Sequence, residues 1–315
     1  MTLTTTQPQS ADPAPTDTAL EPIRIALPKG RMLDGISKLL ADAGIRVKPT
    51  ARGYRPKISM RGFEAKMLKP QNIATMLAAG SRDCGFAGAD WVEELTHEID
   101  QRDHELVDLL DTGLDPVRVV AAAPRDFLVA GKLPNMTEAN PLRVAGEMEY
   151  LATQWIKKSN LNARFVRTYG ATEVFPPEDA DCIIDITQTG ATLEANNLVI
   201  VDDLMRSSTR FYASSRALED KDKRRRIEDF VVLLKGVLEA RDRVMLEVNV
   251  TQDNLPAVIK VLPAMRNPTV SQLHEEGGYA VKIAAKRADL PSIIPQLKAA
   301  GGTDIIISPV QQVIV

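Results

Sequence analysis

Residues 181–193 carry the densest chemistry in the chain. The apolar run Cys182, Ile183, Ile184 ends at the carboxylate of Asp185 and turns at once into Thr187, Gln188, Thr189, Gly190, Ala191, Thr192 and Leu193. Small residues at 189–192 let backbone N–H groups and two hydroxyls approach an anion, because nothing bulky stands in the way. Asp185 closes a strand at the end where open α/β sheets place ligand contacts. A phosphate cradle beside a carboxylate that accepts from hydroxyls suits a phosphorylated sugar. The same spacing fits an ordinary strand-to-helix turn capped by Asp or Thr, so the local pattern leaves both readings open.

A phosphorylated ligand needs cations, and these gather near the start of the chain. Lys29, Gly30 and Arg31 form a turn directly after an apolar run, with Arg52, Arg55 and Lys57 following. Arginine grips a phosphate through two parallel N–H bonds. A solvated coat of long basic side chains is the alternative, strongest for Arg52, Arg55 and Lys57. Glu173 either contacts the sugar or a metal-bound water, or caps the next turn. Asp202 and Asp203 read as a strand terminus. His97, His104 and His274 are scattered without ligand spacing, so neither a histidine-based triad nor a metal centre is expected. Cys84 and Cys182 sit in apolar runs and read as core thiols in a reducing cytoplasm.

The whole chain must position these groups. Its 315 residues predict two or three domains. With 44% hydrophobic and 26% charged residues it has an ordinary globular composition. A net charge of −3 and a pI near 5.8 argue against a nucleic-acid binder. The basic run at 221–226 reads as a solvated helix face. No apolar run approaches the ~20 residues of a membrane span. Residues 1–21 lack the basic start and apolar centre of a signal peptide and read as a disordered tail.

Strand, loop and helix alternate from residue 23 onward. Residues 23–27 and 83–88 predict strands, and 33–43 and 69–79 predict helices, with Asp90 as the cap of a further helix. The alternation implies a mainly parallel sheet covered on both faces. A second α/β unit opens at 117–123 and continues through strands at 142–145, 163–168 and 181–185, with a helix at 150–158. Strands at 198–201 and 210–213 lead back toward the first unit. We therefore expect a lobe I from 22–115 and 205–240, including a connecting helix, and a lobe II from 116–204, with a cleft between them. Residues 244–250, 255–262, 269–273, 279–285, 290–300 and 305–307 then follow the order βαββαβ, a ferredoxin-like module over 241–315.

Three segments resemble one family. LPKGRML at 27–33, GFAGADW at 85–91 and DITQTGATLEAN at 185–196 are similar to those of the ATP phosphoribosyltransferases. The third is the family's signature, and LPAMRNPTV at 262–270 resembles the regulatory domain that marks the long form. Gln188 and Asn197 depart from the family's usual small residue and glycine. The resemblance implies an α/β fold, with a two-lobed core similar to periplasmic binding proteins and a C-terminal ACT-like domain. It also implies a cytoplasmic, Mg²⁺-dependent pentosyltransferase that joins adenine N1 of ATP to 5-phosphoribosyl 1-pyrophosphate (PRPP), opening histidine biosynthesis. PRPP is assigned to Asp185, Thr187, Thr189, Gly190, Ala191, Thr192 and Leu193, with Glu173. ATP and pyrophosphate are assigned to Lys29, Gly30, Arg31, Arg52, Arg55 and Lys57, with Asp90. Magnesium is expected to be held mainly by substrate oxygens.

Long-form members imply a homo-hexamer, in equilibrium with a dimer, inhibited by histidine. Glu247, Asn249, Gly277, Gly278, Tyr279 and Ala280 are the candidates for that regulatory site. Two rivals remain in view. Thr209, Arg210 and Phe211 resemble a prephenate dehydratase tripeptide, and the two-lobed plan also fits a solute-binding protein with a sensory module.

Overall fold

The computed structural model describes residues 21–50, 53–97, 105–263, 267–274 and 277–314, and all statements below concern those residues. The expected tail (apart from Glu21), Arg52 and His104 lie outside them. The first unit runs β1 (Ile23–Pro28), α1 (Met32–Asp42), β2 (Val47–Lys48), β3 (Lys57–Ile58), β4 (Phe63–Leu68), α2 (Pro70–Ala78), β5 (Cys84–Gly88) and α3 (Ala89–Thr96). Helix α1 forms because Ile36, Leu39 and Leu40 recur on one face, which is buried. It stops at Gly44, whose φ of +80° favours a residue without a Cβ. Pro70 opens α2, where its missing N–H costs nothing.

A long strand, β6 (Leu106–Pro124), then leads into β7 (Leu142–Gly146), α4 (Glu149–Lys158), β8 (Ala163–Arg167), β9 (Cys182–Thr187) and α5 (Ala191–Ala195). A second long strand, β10 (Leu198–Ser214), returns to α6 (Ser215–Glu219) and α7 (Lys221–Arg241). All eight main strands form one sheet in the order β4-β1-β5-β10-β6-β9-β7-β8. Pairing is parallel within β4-β1-β5 and β9-β7-β8, but antiparallel wherever β6 or β10 takes part. The sheet is thus mixed rather than mainly parallel. The segments read separately at 198–201 and 210–213 are one strand, and the one read at 117–123 begins eleven residues earlier. These two strands run through both lobes, with register shifts clustered between Ile200 and Tyr212.

The apolar centre of lobe I collects Phe63, Phe86, Phe211 and Phe230, with ring centroids 4.9–6.5 Å apart for the contacting pairs. Phe230 comes from α7, so the connecting helix is part of that core. The connecting helix expected in lobe I is broken at Asp220. Its carboxylate accepts from the N–H groups of Asp222 and Lys223 and starts α7 afresh.

The C-terminal module runs β11 (Arg243–Thr251), α8 (Leu255–Val261), β12 (Thr269–Gln272), β13 (Gly278–Lys286), α9 (Leu290–Ala299) and β14 (Thr303–Pro309). Its antiparallel sheet has the order β12-β13-β11-β14, the ferredoxin-like arrangement. Val244, Leu246, Val248 and Val250 alternate into its core. Beyond β14 the chain turns back onto α7. The Val313 N–H donates to the Gly236 carbonyl at 2.9 Å, and Gln312 Nε2 to the Leu233 carbonyl at 2.9 Å. A Cβ at Gly236 would lie 2.9 Å from Gln312 Cγ, which explains a glycine inside a helix. No described helix is long and apolar enough to cross a membrane.

Candidate active site

Strand register fixes where the lobes meet. Strand β5 ends where Gly88 pairs with Thr209 of β10, and β9 ends where Thr187 pairs with Arg118 of β6. Arg118 in turn pairs with Arg206 of β10. The parallel strands of both lobes therefore run toward each other and stop at one level of the crossing pair, residues 206–209. Open α/β sheets bind ligands off such strand ends.

Lobe II brings the 185–193 loop to this level. Thr187 is buried, and its hydroxyl accepts the Gly190 N–H at 2.9 Å. Gly190 has a φ of +86° and starts α5, while Thr189 Oγ1 accepts the Ala191 N–H at 3.3 Å. Leu193 is buried and anchors the helix in the lobe II core. Among the described residues the N–H groups of Thr192 and Leu193 and the Thr192 hydroxyl have no partner. This turn is held by the Thr187 and Thr189 hydroxyls and leaves those donors unengaged. Asn197 adopts a φ of +57°, a left-handed conformation that asparagine tolerates, so its departure from the family's glycine leaves the backbone path intact.

Asp185 is half-buried and accepts the N–H of its neighbour Ile186 at 2.7 Å. Burial pushes its carboxyl up to about 6, against that hydrogen bond, and the charges of Glu173 and Glu147 push it further. Glu173 lies in a short helical turn over Thr172–Val174, and Glu147 follows β7. Glu147 was missed by sequence reasoning, although its place just past a strand end was a usable signal. Among the described residues no three His, Cys, Asp or Glu side chains are grouped to hold a metal alone. The crowded carboxylates are nonetheless hard oxygen donors whose repulsion a cation would relieve, so they fit a Mg²⁺ held jointly with a ligand. Neither thiol competes as a nucleophile, since burial raises Cys182 to about 12 and Cys84 well above its ordinary value.

Lobe I carries the candidate cations. Lys29, Gly30 and Arg31 follow β1, and the Lys29 N–H donates to the Leu68 carbonyl at 2.9 Å. The Tyr54 carbonyl accepts from the Met67 N–H, which hooks the 53–57 segment to β4 and sets the Tyr54 ring 3.4 Å from Lys29 Nζ. Tyr54 and Arg55 are exposed beside that turn. Lys57 faces Lys48 across the β2–β3 pair instead.

Asp90 does not cap α3; Gly88 does. Its buried carboxylate accepts the Ser207 hydroxyl at 2.7 Å, while its N–H donates to the same hydroxyl, tying α3 to the crossing strand. Glu94, also buried and unforeseen, reaches lobe II. Its two oxygens accept the N–H groups of Tyr150 and Leu151 at the start of α4, both at 3.0 Å. His97 stacks on Tyr150 with ring centroids 3.8 Å apart.

The remaining candidates are placed elsewhere. Phe211 and Thr209 are buried, and Arg210 pairs with Asp108 and Asp111, so the dehydratase-like tripeptide is structural. In the C-terminal module Asn249 lies opposite Ala280, and Val250 opposite Tyr279. Glu247 pairs with Lys282 at 2.9 Å, and Asn249 Nδ2 donates to Asp304 at 3.2 Å. Gly277 takes a φ of +59°, and the Gly278 carbonyl accepts from Leu273.

A family model described as HisG, ATP phosphoribosyltransferase, matches residues 69–236, and one described as HisG, C-terminal domain, matches 240–312. The chain is 34% identical over 294 residues to an ATP phosphoribosyltransferase of Pelotomaculum thermopropionicum, covering 93% of this chain and 99% of that one. To the ATP phosphoribosyltransferase of Thermodesulfovibrio yellowstonii it is 31% identical over 292 residues, covering 93% and 98%. Among solved structures, an ATP phosphoribosyl transferase (HisG:HisZ) complex from Thermotoga maritima shares the fold. The TM-score is 0.57 at 23% identity, covering 69% of this chain and 98% of that chain.

Proposed function

The chain belongs to the ATP phosphoribosyltransferase family, and on that premise we propose that its cleft joins ATP to PRPP, releasing pyrophosphate in the first step of histidine biosynthesis. The observation that carries this reading is the donor turn of Thr187 and Gly190, set beside Asp185 at the level where the strand ends converge. The outward N–H groups of Thr192 and Leu193 suit the 5′-phosphate of PRPP. Asp185 suits the ribose hydroxyls. Lys29 and Arg31 suit the phosphates that arrive from the opposite lobe.

Adenine N1 attacks the ribosyl C1′ with its own lone pair as the bond to pyrophosphate breaks. No proton needs removal before that bond forms. Positive charge grows on the ribose ring, and the ionised carboxylates of Asp185, Glu173 and Glu147 are oriented to stabilise it. Lys29 and Arg31 answer the negative charge that leaves. Asp185 and Glu173 would hold Mg²⁺ together with substrate oxygens, and that ion supplies positive charge against the pyrophosphate.

Purified protein mixed with ATP, PRPP and Mg²⁺ tests this reading by the rise in absorbance of the phosphoribosyl-ATP product. Well-folded protein that gives no product would sink it. Feedback by histidine and a hexameric assembly are proposed with it, on the strength of the ferredoxin-like module. Asn249, Ala280 and the Gly277–Gly278 turn lie at one end of that module's two central strands and are the candidates for the amino acid.

A further inference from the structure

A cavity beside α3 is lined by neither the 29–31 turn nor the 185–193 loop. It has a volume of ≈ 470 Å³ and sits between α3 and the crossing strands. Val92, Leu106 and Met205 give it an apolar floor. Tyr212 lines it from a ring packed among Ala26, Ile73 and Leu77, and the residue is only 5% exposed. Its hydroxyl has no hydrogen-bond partner among the described residues. Burial raises that hydroxyl well above its ordinary range, so it stays protonated and available as a donor. The hydroxyl opens onto the cavity and offers one donor to a ligand there.

Charge decides what that something is. Arg210 also lines the cavity, but Asp108 and Asp111 already neutralise it. Arg206, Glu93 and Glu105 remain on the rim, and none has a side-chain partner among the described residues. One cation and two carboxylates would repel a free phosphate. A simple amine would leave Arg206 and the Tyr212 hydroxyl unanswered. We propose that this cavity binds a small zwitterion of the size of a free α-amino acid. Its carboxylate meets Arg206 and the Tyr212 hydroxyl, and its ammonium meets Glu93 and Glu105.

Arg206 stands at the level where the two lobes part, and Glu93 rides on α3 of lobe I. A ligand joining them stiffens the crossing pair and biases closure of the cleft. This site does not rest on the ATP phosphoribosyltransferase reading and is separate from the C-terminal module.

The test is a calorimetric titration of the full chain with each of the twenty L-amino acids. Propionate and propylamine serve as single-charge probes. At least one amino acid is expected to bind, and both single-charge probes to bind far more weakly. Tyr212→Phe keeps the packed ring and should weaken that binding roughly five- to tenfold, while Arg206→Gln should weaken it roughly tenfold or more. Far-UV circular dichroism confirms that each variant is folded. In a chain carrying Glu247→Gln and Asn249→Ala, which removes any histidine site of the C-terminal module, binding at this cavity should persist. The proposal is overturned if no amino acid binds, if the binding survives both Tyr212→Phe and Arg206→Gln, or if propionate binds as tightly as the amino acid. Loss of binding only in the Glu247 and Asn249 variant would place the ligand in the C-terminal module and overturn it equally.

Discussion

The hydroxyl of Thr187 accepts the N–H of Gly190 at 2.9 Å, so the residue that ends β9 also fixes the turn that starts α5. Thr187 is buried and Thr192 exposed, and this separates two kinds of variant. Thr187→Val should cost about 1 kcal/mol of stability through the lost hydrogen bond, read from a denaturant midpoint. Thr192→Ala should leave stability unchanged and weaken PRPP use by roughly 1–3 kcal/mol in kcat/KM. Unaltered kinetics in the second variant would reduce Thr192 to a structural turn residue.

Asp185 combines an unfavourable setting with a useful charge. A carboxyl raised in the folded state from 3.8 to about 6 gives stability that is full below pH 3.8 and lost as pH rises through about 6. Above that window the ionised group is a net cost. Asp185→Asn should therefore raise the stability of the ligand-free protein at pH 7 by roughly 1–2 kcal/mol, a figure reduced for the group's partial exposure. The same variant should abolish most turnover. Thermal melts at pH 4 and pH 7 check the sign, because the gain should shrink at the lower pH.

Glu94 holds the first turn of α4 from the opposite lobe. Glu94→Ala strips two helix N–H groups of a charged acceptor and should cost roughly 2–3 kcal/mol. Small-angle scattering should show a wider distribution of lobe separations in that variant. If its melting curve and scattering profile match the parent, the contact is incidental.

Gly236 lets the C-terminal segment lie against α7. A leucine there cannot coexist with the bond from Val313, so Gly236→Leu should release the segment and speed amide exchange at Val313 by orders of magnitude. Basal turnover should survive, whereas histidine inhibition should weaken if the segment carries the signal to lobe I. Inhibition of undiminished strength would show that the module acts by another route.

Much of this was legible in the residue pattern. Helix α1 and the βαββαβ module follow from apolar spacing and stop signals, and the donor turn at 187–192 stands out by its small residues. The crossing strands did not. In β6, Asp108, Asp111, Gly113 and Asp115-Pro116 look like a chain of turns, yet Asp108 and Asp111 pair with Arg210 and Asp115 accepts from Thr209, both on β10. In β10, Asp202, Asp203 and residues 206–209 are polar where the strand passes the junction of the lobes. Buried polar pairs such as Asp90 with Ser207, and Glu94 with the α4 N-terminus, join residues far apart in the chain and leave no local signature.

The two long strands also set an order of assembly. Strand β5 pairs with β1 on one side, but on the other its partner is residues 209–213, which leave the ribosome after all of lobe II. Until then the nascent first lobe carries an open edge, with Cys84 to Gly88 unpaired on that side. Lobe II can close upon β6 and β9 as soon as it emerges, so the later lobe in the sequence is the earlier one to mature. Chains halted shortly before residue 209 should be the ones most in need of a chaperone, since their exposed strand can pair with that of a neighbour.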